Sequence, residues 1–224
     1  MNIIVSGGGT GGHIYPALTI IRAIQRREPN ARILYVGTPH GLEADIVPRE
    51  GIDFIAIDLA GFQRKISLEN ISRAWRALLA VARARGIVHG FQPDVAIGTG
   101  GYVAGPILLA ASLAGVPTLV QEQNVFAGVT NRILAKFATA IAVGMEDAKN
   151  VFPKEKTYVT GNPIRPEVLT ATREEGARAF GFDPAKKTVL VSGGSRGARS
   201  INRAMVEVIA HAAEQTEVQY LHVT

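Results

Sequence analysis

The sequence contains no cysteine, so disulfides and thiolate metal sites are both excluded, and a reducing compartment is the natural setting. It also has no Asp-x-Asp and no His-Cys cluster, and its five histidines are scattered. A metal centre therefore loses support, and neither metal nor other cofactor is expected. A secretory leader needs a basic start, a long apolar run and a small-residue cleavage site. Here Met1 to Val5 runs straight into a glycine cluster, so the chain is expected to begin inside the cell. One stretch, Val95 to Gln121, carries no charge and is long enough to suggest a membrane span. Its Gly98, Gly100, Gly101, Pro106, Gly115 and Pro117 divide it instead into strand, loop, short buried helix and strand.

What is present is a chain of 224 residues, 47% hydrophobic, large enough to bury a real core. A net charge of +5 and a pI near 9.7 imply anionic partners. The excess is concentrated between Arg64 and Arg85, where Arg64, Lys65, Arg73, Arg76, Arg83 and Arg85 face only Glu69. Within that segment Ile71, Trp75, Leu78 and Ala82 fall at helical spacing, with Arg73, Arg76 and Arg83 on a neighbouring face. A membrane-surface helix has this pattern, and so does a helix packed on a sheet with solvated arginines. Nucleic acid is not expected, because no aromatic-basic platform accompanies the cluster.

Short apolar runs alternate with helical stretches. Strands are expected near Ile3–Ser6, Ile33–Val36, Phe54–Ile57, Val95–Ile97, Thr118–Val120 and Ala140–Val143. Helices are expected between them, including Leu68 to Gly90 and Ala127 to Phe137. This βαβ rhythm predicts an α/β protein with a doubly wound parallel sheet. At Gly161-Asn162-Pro163-Ile164-Arg165-Pro166 two prolines make a stiff extended connection. Residues 1–160 are thus expected to form one Rossmann-like domain, 161–166 a hinge, and 167–224 the start of a second. The run Val5-Ser6-Gly7-Gly8-Gly9-Thr10-Gly11 is echoed by Val191-Ser192-Gly193-Gly194-Ser195-Arg196-Gly197, so each domain opens with the same kind of glycine loop. The second has only a strand, a helix and a strand of its core, so it is expected to be incomplete.

The loop Gly7 to Gly12 satisfies G-x-G-x-x-G after a strand and before a helix. A nicotinamide site would add an acid at the end of the second strand, where this chain reads Val36-Gly37-Thr38-Pro39. What remains is a backbone cradle for a phosphate or a sugar. His13, at the helix start beside it, is either a general base or a histidine that merely packs there. Gly98-Thr99-Gly100-Gly101-Tyr102 is a second cradle or a tight turn, and Glu122, Gln123 and Asn124 follow the fifth strand to the same edge. In the second domain Ser195 and Arg196 stand at a helix start, and Arg165 in the hinge suits a pyrophosphate.

Taken together, GGGTGGH, GTGGYVAGP, QEQNVFAGVTNR, GNPIR and GGSRGARSIN, in that order along the whole chain, closely resemble the MurG family of bacterial transferases. That family moves N-acetylglucosamine from UDP-N-acetylglucosamine to the 4-hydroxyl of the muramyl sugar of undecaprenyl-pyrophosphoryl-MurNAc-pentapeptide, converting lipid I to lipid II. The resemblance implies a GT-B type glycosyltransferase with an acceptor domain first and a donor domain second, working by inversion without a metal. It implies donor contacts at Thr10, Gly11, Gly12, Asn124, Arg165 and Ser195, and an acceptor pyrophosphate site at Gly100, Gly101 and Tyr102. His13 and Glu122 lie where the catalytic base is sought. Ile71, Arg73, Trp75, Arg76 and Leu78 resemble the family's membrane-touching patch, which implies a peripheral enzyme on the anionic cytoplasmic face of the bacterial cell membrane. The family continues well beyond Thr224. Two other readings stay open: an enzyme like UDP-N-acetylglucosamine 2-epimerase, which shares the layout, or a non-catalytic acceptor-binding half that needs a separate donor domain.

Overall fold

The computed structural model describes residues 1–59, 68–194, 197–212 and 217–224; the side chains of residues 68–78 lie outside that description. The chain divides into two compact units, Met1–Pro163 and Ile164–Thr224.

The first unit alternates strand and helix. Its elements are β1 (Asn2–Gly7), α1 (Gly11–Arg27), β2 (Arg32–Gly37), α2 (Glu43–Arg49), β3 (Asp53–Ala56), α3 (Leu68–Phe91), β4 (Val95–Gly100), α4 (Ala104–Leu113), β5 (Thr118–Glu122), α5 (Val129–Leu134), β6 (Ala140–Val143) and β7 (Thr157–Val159). Short 3-10 turns at Glu146–Val151 and Lys154–Lys156 join the last two strands. The strands pair in parallel in the order β3-β2-β1-β4-β5-β6-β7. The α/β class and the doubly wound sheet read from the sequence therefore hold.

Both faces of this sheet are covered, and the period-2 alternation of strand side chains explains how. In β1, Ile3 and Val5 point to one face, where they meet Tyr35 and Ile97 and the α1 residues Ile14, Ala17, Leu18 and Ile21. Ile4 points to the other, among Leu34, Val36, Val120 and Ile141, and is covered by Ile107 and Leu108 of α4 and by Ala84 and Val88 of α3. Each fully buried Ile or Leu contributes about 1.5–3 kcal/mol. In α3 the buried residues Ala80, Ala84 and Val88 recur every four positions, a seam on one helix face, while Leu79, Arg83 and Arg85 are exposed.

The order of connection reverses between β1 and β4: α1 leads outward to β2, whereas β4 continues to the other side. Strands that run parallel end at one edge, and a reversal of this kind opens a crevice beyond their carboxyl ends. Gly7, Gly100 and Glu122, the last residues of β1, β4 and β5, stand at that edge.

The second unit comprises α6 (Pro166–Thr170), α7 (Arg173–Ala179), β8 (Lys187–Ser192), α8 (Arg199–Ala212) and β9 (Val218–Val223), with β8 and β9 paired in parallel. A capping box opens α7: Thr172 accepts from the Glu175 amide, and the Glu175 carboxylate accepts from Thr172, which holds that carboxyl below its ordinary range. Val189 and Leu190 of β8 are exposed.

In the first unit two elements differ from expectation. β7 is an additional edge strand of three residues, too short to give a readable alternation. The helix expected over Ala127 to Phe137 is regular only from Val129 to Leu134.

Candidate functional site

The residues beyond the carboxyl ends of β1, β4 and β5 interlock. Gly8 donates its N–H to the Gly100 carbonyl at 3.3 Å. Gly101 has φ of +81°, and a Cβ there would overlap the Gly8 carbonyl oxygen. Gly100 has φ of +109°, and its missing Cβ would lie 2.6 Å from His13 Nδ1. The two glycine loops thus lie backbone to backbone, an approach that only glycine allows. A Gly101→Ala substitution combines a left-handed φ with a backbone clash and is expected to destabilise the first unit by about 2–3 kcal/mol. Urea unfolding of the variant beside the parent measures it.

His13 occupies the first turn of α1, half-buried. Its Nδ1 lies 3.0 Å from the Thr99 carbonyl oxygen. A carbonyl can only accept, so Nδ1 carries the proton, and in the neutral ring Nε2 is the nitrogen with the lone pair. Thr99 Oγ1 donates back to the His13 carbonyl at 2.7 Å, and Gln123 Nε2 donates to the same Thr99 carbonyl at 2.7 Å. The imidazole is therefore oriented by β4, with Gln123, the residue after β5, bracing the acceptor. The first turn of α1 carries no acid, and Thr10 makes no side-chain cap bond. The positive end of that helix is left open to an anion or a sugar oxygen.

Glu122 is 1% exposed, neither a solvated loop acid nor an open one. Its Oε1 accepts from the Asn124 backbone N–H and from Asn124 Nδ2, both at 3.0 Å. Oε2 accepts from the Gly128 N–H at 3.0 Å and from Asn131 Nδ2 at 2.9 Å. A carboxylate met by four N–H donors anchors the turn between β5 and α5, and through that turn it holds Asn124. Beside it, Gln121 and Gln123 are joined by an amide hydrogen bond, and Asn162 Nδ2 donates to the Gln123 carbonyl. Gln121 Nε2, Gln123 Oε1, Asn131 Oδ1 and Asn162 Oδ1 are buried with hydrogen-bonding capacity unused among the described residues.

The first unit thus brings together Thr10, Gly11, Gly12, His13, Gly100, Gly101, Tyr102, Glu122 and Asn124 at one sheet edge. Tyr102 is 39% exposed. Arg165 belongs to the second unit, at the N-cap of α6. Ser195 and Arg196 lie outside the described residues, between Gly194 and Gly197, which take φ of +78° and +66°. Ile71, Arg73, Trp75, Arg76 and Leu78 lie on α3, but their side chains are likewise outside the description. No helix among the described residues is long and apolar enough to cross a membrane.

Sequence reasoning placed Thr99 in the second glycine loop and Gln123 at the same edge without joining either to the orientation of His13, and it passed over Glu43. It found no acid between Val36 and Pro39, and there is none, but Glu43 folds back to that point from the start of α2. Glu43 is fully buried, accepting from the Thr38 N–H at 3.1 Å, from Thr38 Oγ1 at 2.7 Å and from the Gly9 N–H at 3.1 Å. Its carboxylate is wholly enclosed. The signal available was Gly37 and Gly41 on either side of Thr38, glycines that leave room for a carboxylate. Nearby, Tyr35 donates to the Gly7 carbonyl at 2.8 Å; burial, and then the Glu43 charge, push its phenol far above its ordinary value.

Comparison with known proteins adds three findings. Residues 3–143 match the family described as "Glycosyltransferase family 28 N-terminal domain". A protein of Desulforamulus reducens is 52% identical over the whole chain, and one of Bacillus subtilis is 47% identical. Both are named UDP-N-acetylglucosamine–N-acetylmuramyl-(pentapeptide) pyrophosphoryl-undecaprenol N-acetylglucosamine transferase. The chain spans about 60% of the length of these curated relatives. Among solved structures, MurG of Acinetobacter baumannii aligns with a TM-score of 0.72 at 26% identity, over 98% of this chain and 67% of that one. The UDP-GlcNAc 2-epimerase of Neisseria meningitidis aligns with a TM-score of 0.65 at 17% identity, over 100% and 65%. At that identity the second likeness speaks for the fold alone.

Proposed function

Because the chain belongs to glycosyltransferase family 28, we propose that it is the amino-terminal part of a transferase that moves N-acetylglucosamine from UDP-N-acetylglucosamine to the 4-hydroxyl of the muramyl sugar on an undecaprenyl-pyrophosphoryl-MurNAc-pentapeptide. The supporting observation is the orientation of His13: Nδ1 is committed to the Thr99 carbonyl, so Nε2 is the lone pair that can take a proton. His13 is the base in this reading. Glu122, the other candidate, serves as the anchor that keeps Asn124 in place, since both of its oxygens are already occupied by N–H donors.

In the reaction, Nε2 of His13 accepts the proton of the muramyl 4-hydroxyl as that oxygen attacks the donor's anomeric carbon. The bond from that carbon to the UDP oxygen breaks in the same displacement, and configuration inverts. Gly100, Gly101 and Tyr102 bind the acceptor pyrophosphate. Thr10, Gly11, Gly12 and Asn124 contact the donor; of the second unit, Arg165 offsets the charge of the departing diphosphate and Ser195 donates a hydrogen bond to it. No residue in this scheme requires a cofactor. The relatives at 47–52% identity carry transferase names, which supports this reading over the epimerase.

Transfer of labelled sugar from UDP-N-acetylglucosamine to a short-chain lipid acceptor by the full-length protein tests the proposal. Formation of a labelled disaccharide product supports it. Formation of the 2-epimer of the sugar, still on the nucleotide or freed from it, with no lipid product would point to the epimerase, and activity that appears only on mixing with a second chain would point to a separate donor domain.

The proposal also places the enzyme peripherally on the anionic cytoplasmic leaflet, through α3 with Ile71, Trp75 and Leu78 flanked by Arg73 and Arg76. Binding to vesicles containing anionic phospholipid is expected to fall with added salt. An Arg73→Glu, Arg76→Glu double substitution should lower it by about tenfold or more. Cosedimentation measures this, and salt-insensitive binding that survives the substitution removes α3 from the role.

A further inference from the structure

We propose that Glu43 is the positioning residue of the site: its buried carboxylate fixes the first glycine loop, and through it the second loop and His13, an inference that rests on the transferase reading above. Three donors from two backbone segments converge on this one side chain. Oε2 accepts from the Gly9 N–H, and Oε1 accepts from the Thr38 N–H and hydroxyl. The side chain also fills the space that a Cβ would need at Gly8, at Gly37 and at Gly41. Glycine at these positions is the complement of the carboxylate.

The surroundings explain why an acid serves here. Glu43 is 0% exposed, and a buried charge is costly to desolvate unless donors meet it. The described donors are two backbone amides and one hydroxyl, and a backbone amide cannot move without moving the loop that carries it. The charge therefore ties the loop after β1 to the loop after β2 more strongly than a neutral acceptor does. Gly9, at φ +84°, turns its N–H inward to Glu43. The Gly9 amide is thereby committed to the protein.

From Glu43 the constraint passes by direct contact. Gly8, held against the carboxylate, donates to the Gly100 carbonyl, and Gly101 lies against the Gly8 backbone. Gly100 packs against the His13 ring, whose Nδ1 is aligned by the next carbonyl back, that of Thr99. A shift of the first loop is thus a shift of the second loop and of the base.

Glu43→Gln in the full-length protein tests this. The amide offers one acceptor oxygen and turns an NH2 group toward the remaining donors, so one side of the clamp opens. At a temperature where the variant is fully folded by circular dichroism, kcat is expected to fall about 100-fold, and the KM for the sugar nucleotide to rise with it, because Thr10, Gly11 and Gly12 stand on the loop that Glu43 holds. Amide hydrogen exchange should quicken by about tenfold or more in peptides covering 7–12 and 36–44 and stay unchanged in β5. A kcat within about twofold of the parent overturns the proposal. So does exchange that quickens equally throughout the first unit, which would mark a merely structural residue. Where Glu43→Gln does not fold, Thr38→Val, which removes only the hydroxyl donor, should show the same local exchange change with a kcat loss of about fivefold; no local change there overturns the proposal as well. If the unaltered protein transfers no sugar, the transferase reading fails by itself, and the exchange pattern still decides whether Glu43 holds the loops.

Discussion

Replacing His13 with alanine in the full-length protein should lower kcat by about 10²–10⁴-fold, the range set by removal of a general base, and leave the KM for UDP-N-acetylglucosamine close to its original value. The reason lies in what the ring does. Its Nδ1 bond to the Thr99 carbonyl at 3.0 Å leaves only Nε2 for chemistry. The ring therefore acts chiefly in the transition state, when the attacking hydroxyl gives up its proton, and contributes little to ground-state binding of the donor. His13 is half-buried, so the lost hydrogen bond should lower stability by only about 1 kcal/mol. The catalytic loss then far exceeds anything that unfolding can explain. His13→Asn sharpens the test, because its side-chain amide still donates to Thr99 but has no basic nitrogen. If the ring only packs at the helix start, asparagine should restore most of the activity. If Nε2 is the base, asparagine and alanine should be equally impaired. Near-normal kcat in His13→Ala would remove it from the role.

The fold was legible in the sequence where local signals were strong. Ile3-Ile4-Val5 and Ile33-Leu34-Tyr35-Val36 are apolar on consecutive residues, as strands covered on both faces must be, and the structure buries them in two separate clusters. Each glycine loop lay after such a strand and before a helix, so its position at the carboxyl edge followed from the parallel arrangement alone. β7 was not legible, since a three-residue edge strand offers no pattern to read. The partners of His13 were not legible either. Thr99 contributes a main-chain carbonyl, which has no sequence signature, and Gln123 reaches it from just past β5, 24 residues away. Glu43 was hidden for a related reason: it stands five residues past Thr38 and acts only because the start of α2 folds back over the end of β2. Sequence periodicity reports which residues are buried, whereas a buried acid in a turn is found only from the donors that converge on it.

Glu122→Ala should produce the largest stability loss of any single change at the site, about 3 kcal/mol or more. Four donors converge on this carboxylate from Asn124, Gly128 and Asn131. Asn131 is 2% exposed and its Nδ2 also donates to the Gln121 carbonyl at 3.3 Å, so the loss falls chiefly on the Asn124 and Gly128 donors. For a domain of this size such a loss corresponds to a melting temperature lower by about 6–12 °C, which calorimetry on the chain reads directly. Glu122→Gln keeps one acceptor oxygen but turns its NH2 group toward the remaining donors, so it should fall between the parent and alanine. A base that carried no structural duty would behave in the opposite way: glutamine would abolish transfer while changing stability by no more than about 0.5 kcal/mol. The order of the two variants in melting temperature thus separates the roles without reference to activity. Because the turn from 123 to 128 is held chiefly through Glu122, the loss should also appear as faster amide exchange at Asn124 and Gly128 before the sheet opens. A donor contact at Asn124 would be weakened with it. The KM for the sugar nucleotide should then rise in Glu122→Gln, the reverse of the signature expected from His13.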